Sequence, residues 1–350
     1  MPGSRVRVSP LLFPQPPAEP AVRAFRAFFG SPSRVALLGL GILAMAAGAL
    51  SAAQGSEPPA SAGAQGGADS VIIAAAGDLV CGTETPKERI PCLSDYTADL
   101  VRQLNPQALL LMGDLQYETG SAADFQAFYE PSFGPFKAIT YPVPGNHEYF
   151  TEGAVPYFDY FNGVGADSGR AGSRGRGFYS FNLGAWHIVA LNSNCPQIGG
   201  CSARSAQATW LRADLERNRA KCTLAFMHSA RFSSGEHGND ELMRDLWRIM
   251  HEAGVDVVLS AHDHTYERFG PQDWMGRTDN KRGMRSFVVG TGGKGLARFL
   301  RPRPNSEVRE NNSIGVLTMV LKQDRYSWKF ATIPGLPDPL DDAGDGTCHD

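Results

Sequence analysis

Short apolar runs at residues 71–76, 108–112, 139–143, 186–192, 223–227 and 255–259 punctuate this chain. They have little alternation and several β-branched members, a pattern that predicts strands covered on both faces. Between them, residues 94–104, 121–129 and 202–220 carry apolar positions at helical spacing, as does a stretch opened by Asn239 and running through Leu242, Leu246, Ile249 and Met250. Ser94 is placed as an N-cap, with Asp95 in the first turn favoured by the helix dipole. Residues 178–181 and 186–192 read as a hairpin about 182–185, and 286–289, 316–321 and 326–330 as further strands. Strands that alternate with helices early and dominate late predict an α/β fold with a two-sheet core covered by helices.

The N-terminal fifth of the pattern is different. Residues 1–34 carry Arg5, Arg7, Arg23, Arg26 and Arg34 against one acid, Glu19, and residues 35–53 run without a charge. A basic region, an apolar core and small residues at its end predict a signal peptide over 1–53, or a signal anchor, with membrane contact confined to 35–53. Residues 54–69, rich in Gly, Ala, Ser and Pro, read as a flexible linker, and 334–350 as an acidic, loop-like tail. The folded domain is therefore placed at 70–333. Thirty-three basic against 36 acidic residues leave a net charge of -3, which gives no reason to expect nucleic acid as the main partner. Six cysteines fit an oxidising, extracytoplasmic compartment, and their spacing predicts the pairs Cys81–Cys92, Cys195–Cys201 and Cys222–Cys348.

Candidate chemistry clusters where the apolar runs stop. In sheets of this kind ligands gather beyond the carboxyl ends of the strands. The residues found there are Asp78, Asp114 with Tyr117, Asn146 with His147, His228, and the pair His262 and His264. The two histidines stand two apart, so extended backbone would put them on one face, within reach of two neighbouring metal ions. Residues 149–177, rich in Gly, Arg and aromatics, read as an irregular excursion over the rim of that site.

In these blocks the sequence resembles the calcineurin-like metallophosphoesterases, and within them the small, single-domain purple acid phosphatases. G-D, G-D-x-x-Y, G-N-H-E, H and H-x-H-x-Y-E-R occur in the family's order. The resemblance implies a four-layer α/β/β/α sandwich of two mixed sheets around two metal ions. By matching motif, Asp78, Tyr117 and His264 would hold the first metal, Asn146, His228 and His262 the second, and Asp114 would bridge them. These donors suit Fe(III) together with Zn, Fe(II) or Mn. Tyrosine is the discriminating one, because a phenol ionises at neutral pH only beside a strong Lewis acid. The expected reaction is attack of a metal-held hydroxide on a small phosphate monoester, with His147 touching the phosphate or protonating the leaving oxygen and Glu148 orienting it. The segment 233–238 resembles the family's E-H-G loop, which makes His237 a second substrate-side histidine.

Two departures bear on the pocket wall: Val80 replaces a glycine usual in the first block, and Ser229-Ala230-Arg231 follows His228 where the family often has proline. With residues before 70 read as signal or anchor and linker, the extra N-terminal β-domain of the larger plant-type enzymes is not expected. The competing readings are a phosphodiesterase or nucleotidase with the same ligands, and a non-catalytic phosphate-binding or cell-surface protein.

Overall fold

Apolar runs without alternation become strands whose two faces are both covered, and the computed structural model has two sheets built that way. It describes residues 70–82 and 92–349. The expected signal or anchor and the linker lie outside the described residues, among which no helix is long and apolar enough to cross a membrane.

In chain order the elements are β1 (Ser70–Ala76), α1 (Ser94–Leu104), β2 (Ala108–Met112), α2 (Ala122–Asp124), a π-helical turn, α3 (Glu130–Ser132), and β3 (Thr140–Val143). Next come α4 (Val155–Asn162), a small ribbon of β4 (Ser168–Gly169) and β5 (Gly172–Ser173), the hairpin β6 (Tyr179–Leu183) and β7 (Trp186–Ala190), α5 (Ala206–Arg217), and β8 (Cys222–Ser229). The chain closes with α6 (Arg244–Ala253), β9 (Val257–Ala261), β10 (Tyr266–Gln272), β11 (Met284–Val289), β12 (Ser306–Glu310), β13 (Gly315–Lys322), β14 (Arg325–Thr332) and β15 (Ala343–Thr347).

One sheet has the order β15-β14-β13-β1-β2-β3 and the other β12-β10-β11-β9-β8-β7-β6. Both are mixed: β1, β2 and β3 run parallel, as do β7, β8, β9 and β11, while the remaining neighbours are antiparallel. Alternate residues of each central strand serve different layers. Ile73, Ala75, Leu110 and Met112 meet Ile188, Leu224, Phe226 and Leu259 between the sheets. Ala74, Ala76, Leu109 and Leu111 face the other way, against Ala98 and Val101 of α1 and the aromatics of α4. Val189, Ala225 and Val258 likewise pack under Leu211 of α5 and Leu246 and Met250 of α6. The result is the four-layer α/β/β/α sandwich.

Several local expectations change. Ser94 is the first residue of α1, and Leu93 occupies the cap without a side-chain bond. α5 starts at Ala206, where Ser205 Oγ accepts from the Ala208 amide at 3.2 Å, because residues 202–205 are taken up by a turn in which the Ser205 amide donates to Ser202 O at 2.9 Å. The helix expected to open at Asn239 begins later: Asp240 Oδ1 accepts from the Leu242 amide to cap a short 3-10 turn, and α6 follows from Arg244. The excursion after Tyr149 is half helical: α4 buries Tyr157, Phe158, Tyr160 and Phe161 in the outer core, since aromatic area of this size is too costly to leave over an open rim. The tail read as loop-like contains β15, which pairs antiparallel with β14, and Cys348 beyond it is bonded to Cys222. Cys81–Cys92 and Cys195–Cys201 are formed as expected from their spacing. Strands β10 and β12 had no apolar run to announce them: β12 is the half-buried edge strand of its sheet, and β10 beside it, though mostly buried, carries the polar residues Glu267, Arg268 and Gln272.

Candidate metal centre

Because β1, β2, β3, β8 and β9 run parallel within their sheets, their carboxyl ends open on one edge, where the loops turn sharply. Asp78, Asp114 and His262 adopt left-handed backbone, with φ of 60°, 49° and 72°. Such backbone is disfavoured for non-glycine residues and tends to persist at functional sites, where the surrounding structure holds it. The bend at His262 overturns the extended-backbone reading of the histidine pair: the two imidazoles diverge into different donor groups instead of sharing a strand face. Gly145 is dictated by contact, because a Cβ there would run into the Asp114 carboxylate.

Around Tyr117, the phenol oxygen lies 2.8 Å from Asp78 Oδ1, 3.1 Å from Asp114 Oδ2 and 3.1 Å from His264 Nε2. Around His228, Nε2 lies 3.0 Å from Asn146 Oδ1, 3.0 Å from His262 Nδ1 and 3.4 Å from Asp114 Oδ2. Asp114 Oδ2 thus borders both groups, and Asp114, His228 and His262 form a cluster able to hold an ion. Donor atoms about 3–3.5 Å apart have the spacing of neighbouring ligands on a cation bonded at about 2.0–2.2 Å. Two buried carboxylates, a phenol, an amide oxygen and three imidazoles therefore fit a pair of borderline or hard cations.

The second atom of most donors is already committed, which fixes the direction of the first. Asp78 Oδ2 accepts from the His262 amide at 2.9 Å and Asp114 Oδ1 from the His147 amide at 2.9 Å. His228 Nδ1 donates to Met112 O at 2.7 Å and His264 Nδ1 to Gly295 O at 2.9 Å, so each turns Nε2 inward. The electrostatics point the same way. Burial would lower His228 and His264, yet Asp114 and Asp78 push them up to about 9. Burial, reinforced by Asp114 and Asp78, raises the Tyr117 phenol well above its ordinary value. Burial and the neighbouring His228 and His237 lower His262 to about 3. The pocket is one of concentrated negative charge, suited to cations.

His147 stands beside this group. Its Nδ1 meets Glu118 O at 2.5 Å and its Nε2 lies 3.8 Å from Asp114 Oδ2. His237 stacks on His262 with ring centroids 4.0 Å apart. Its loop is held by Asp263, which accepts from the His237 amide at 2.8 Å and the Gly238 amide at 3.2 Å. Sequence reasoning passed over Asp263, although it stands between the two motif histidines. Glu148 does not orient His147. It is fully buried and accepts from the amides of Gly145, Asp114, Leu115 and Gln116, bracing the turn that carries Asp114. Val80 belongs to the outer core and pairs through its backbone with Leu115 and Tyr117, so it is not part of the pocket wall.

Residues 69–266 match the family described as calcineurin-like phosphoesterase. The chain belongs to this family. Among curated relatives it is 31% identical to purple acid phosphatase 21 of Arabidopsis thaliana, over 67% of this chain and 55% of that protein. It is 29% identical to purple acid phosphatase 18 of the same plant, over 63% of this chain and 52% of that protein. The chain spans about half the length of these curated relatives. Its fold is similar to that of a purple acid phosphatase from yellow lupin (Lupinus luteus) seeds, with a TM-score of 0.65 and 18% identity, over 80% of this chain and 54% of that one. These relatives imply a dinuclear metal centre.

Proposed function

We propose that the chain is an exported, binuclear metal-dependent phosphatase acting on small phosphate monoesters. The observation that carries this reading is Asp114 Oδ2, a single carboxylate oxygen bordering both the tyrosine group and the histidine group. A shared carboxylate is what holds two cations about 3.5–4 Å apart in enzymes of this chemistry. In this reading Asp78, Tyr117 and His264 would hold Fe(III), Asn146, His228 and His262 would hold Zn, Fe(II) or Mn, and Asp114 would serve both. When bound, such a pair supplies Lewis acidity toward phosphoryl oxygens and lowers the pKa of water.

The remaining work falls to the chain's own residues. His147, with Nδ1 committed to the Glu118 carbonyl, keeps Nε2 for a proton delivered to the leaving oxygen. His237, held over His262, offers its ring to a phosphoryl oxygen. Three disulfides support export, since such bonds persist outside the reducing cytosol. The test is turnover of p-nitrophenyl phosphate against bis-p-nitrophenyl phosphate by protein loaded with iron and zinc. The monoester is expected to be preferred, and His147→Ala to lower kcat on it by roughly a hundred- to a thousandfold. Preference for the diester would replace this reading with a phosphodiesterase, and no turnover of either would leave a phosphate-binding protein.

A further inference from the structure

A glycine-rich loop after β11, residues 290–295, grips the tyrosine side of the centre, although no strand-end motif marks it. Gly292 N donates to Gly77 O at 3.0 Å, Lys294 N donates to Asp78 O at 3.0 Å, and Ala297 N donates to His264 O at 2.9 Å. Gly295 O receives His264 Nδ1. The loop thus fastens the backbone of one candidate ligand and the ring of another. Its one charged side chain is Lys294, which is only 5% exposed. The ammonium lies 2.7 Å from Glu118 Oε1 and 4.4 Å from the centroid of the Tyr117 ring.

Burying an ammonium is costly unless it is paired and placed to good effect. Glu118 keeps a quarter of its side chain exposed, so a lysine could pair with it from the solvent side. Here the pair is instead turned inward over an aromatic face, where a cation is attracted by the ring's electron density. The same positive charge lowers the energy of electrons on that ring and on its oxygen.

We propose that Lys294 is a fixed cation that sets the donor strength of the Tyr117 oxygen toward a bound metal, with Glu118 holding the ammonium against the ring. The inference rests on reading Tyr117 as the ligand of Fe(III). Removing the charge raises the energy of the phenolate electrons more than that of the metal, because the ammonium packs on the ring. Less energy is then needed to transfer charge from tyrosine to iron. Activity is a poor measure of this effect, since the Glu118 carbonyl also orients His147 and a freed Glu118 would disturb that ring as well.

The test is the visible spectrum of the iron-loaded protein, wild type against Lys294→Met and Lys294→Arg. The tyrosine-to-iron band is expected to move to longer wavelength by roughly 10–20 nm in Lys294→Met, the scale of a partly screened unit charge at this distance. It is expected to return toward its original position in Lys294→Arg. A coloured wild type whose band does not move in Lys294→Met overturns the role of Lys294 alone. A colourless iron-loaded wild type overturns the Tyr117 assignment and this inference with it. If circular dichroism shows that Lys294→Met does not fold, Lys294→Gln, which keeps a donor for Glu118, is read by the same band and against the same outcomes.

Discussion

Glu148 governs the centre without being one of its donors. Its carboxylate takes backbone N–H groups from Gly145, Asp114, Leu115 and Gln116, so it stitches the end of β2 to the end of β3. Burial, with the nearby Asp114 charge adding to it, raises its pKa to about 7, and the donated amide hydrogens oppose that rise. Truncation would strand several buried donors, each worth about 1–3 kcal/mol. Glu148→Ala is therefore expected to lose at least about 3 kcal/mol in urea unfolding, and to retain less metal after dialysis than the wild type. Unchanged stability would show that the turn carrying Asp114 is held by other means. The sequence marked Glu148 as part of a block, but its partners lie up to 34 positions away, so its task could not be read there.

At the scale of elements, the tail is the clearest case of structure exceeding the local pattern. Residues 343–347 have a weak strand composition, with two glycines, and both glycines lie against aromatic rings of β14. Asp342, just before β15, accepts from Tyr266 Oη at 2.6 Å and from Arg268 Nε and an Arg268 terminal nitrogen at 2.9 and 3.0 Å. It thereby ties one sheet to the other through β10. Burial would raise its carboxyl pKa, but the bonds from Arg268 and Tyr266 outweigh burial and hold it below its ordinary value. A carboxyl lowered in the folded state adds stability above its unfolded pKa, and that stability is lost as pH falls through the folded value. Asp342→Asn should therefore be less stable than wild type at neutral pH, by about 1–2 kcal/mol. The gap in melting temperature should close as pH drops below about 4. A gap that is constant down to the acid limit would show that packing, not the charge, is what Asp342 contributes.

On the scale of the whole molecule, the centre lies at a seam. Asp78, Asp114 and Asn146 follow strands of one sheet, whereas His228 lies near the end of β8, and His262 and His264 follow β9, in the other. A ligand that binds the folded state alone stabilises it by mass action, about 4 kcal/mol at a thousand times Kd. Chelation is expected to lower the melting temperature, and addition of iron and zinc to restore it. A melting temperature indifferent to chelator would sink the idea that cations join the two sheets.

By itself the sequence determined the layered α/β core, the order of donor residues on successive strand ends and the cysteine spacing, because strand periodicity and donor chemistry are written locally. Tertiary structure alone decided which oxygen of Asp78 and Asp114 faces the centre, which nitrogen of each imidazole turns inward, and that Lys294 lies over Tyr117. These choices are made by partners far apart in the chain, as with the His262 amide and Asp78, 184 positions from each other. A contact at that separation exists only once both sheets have packed.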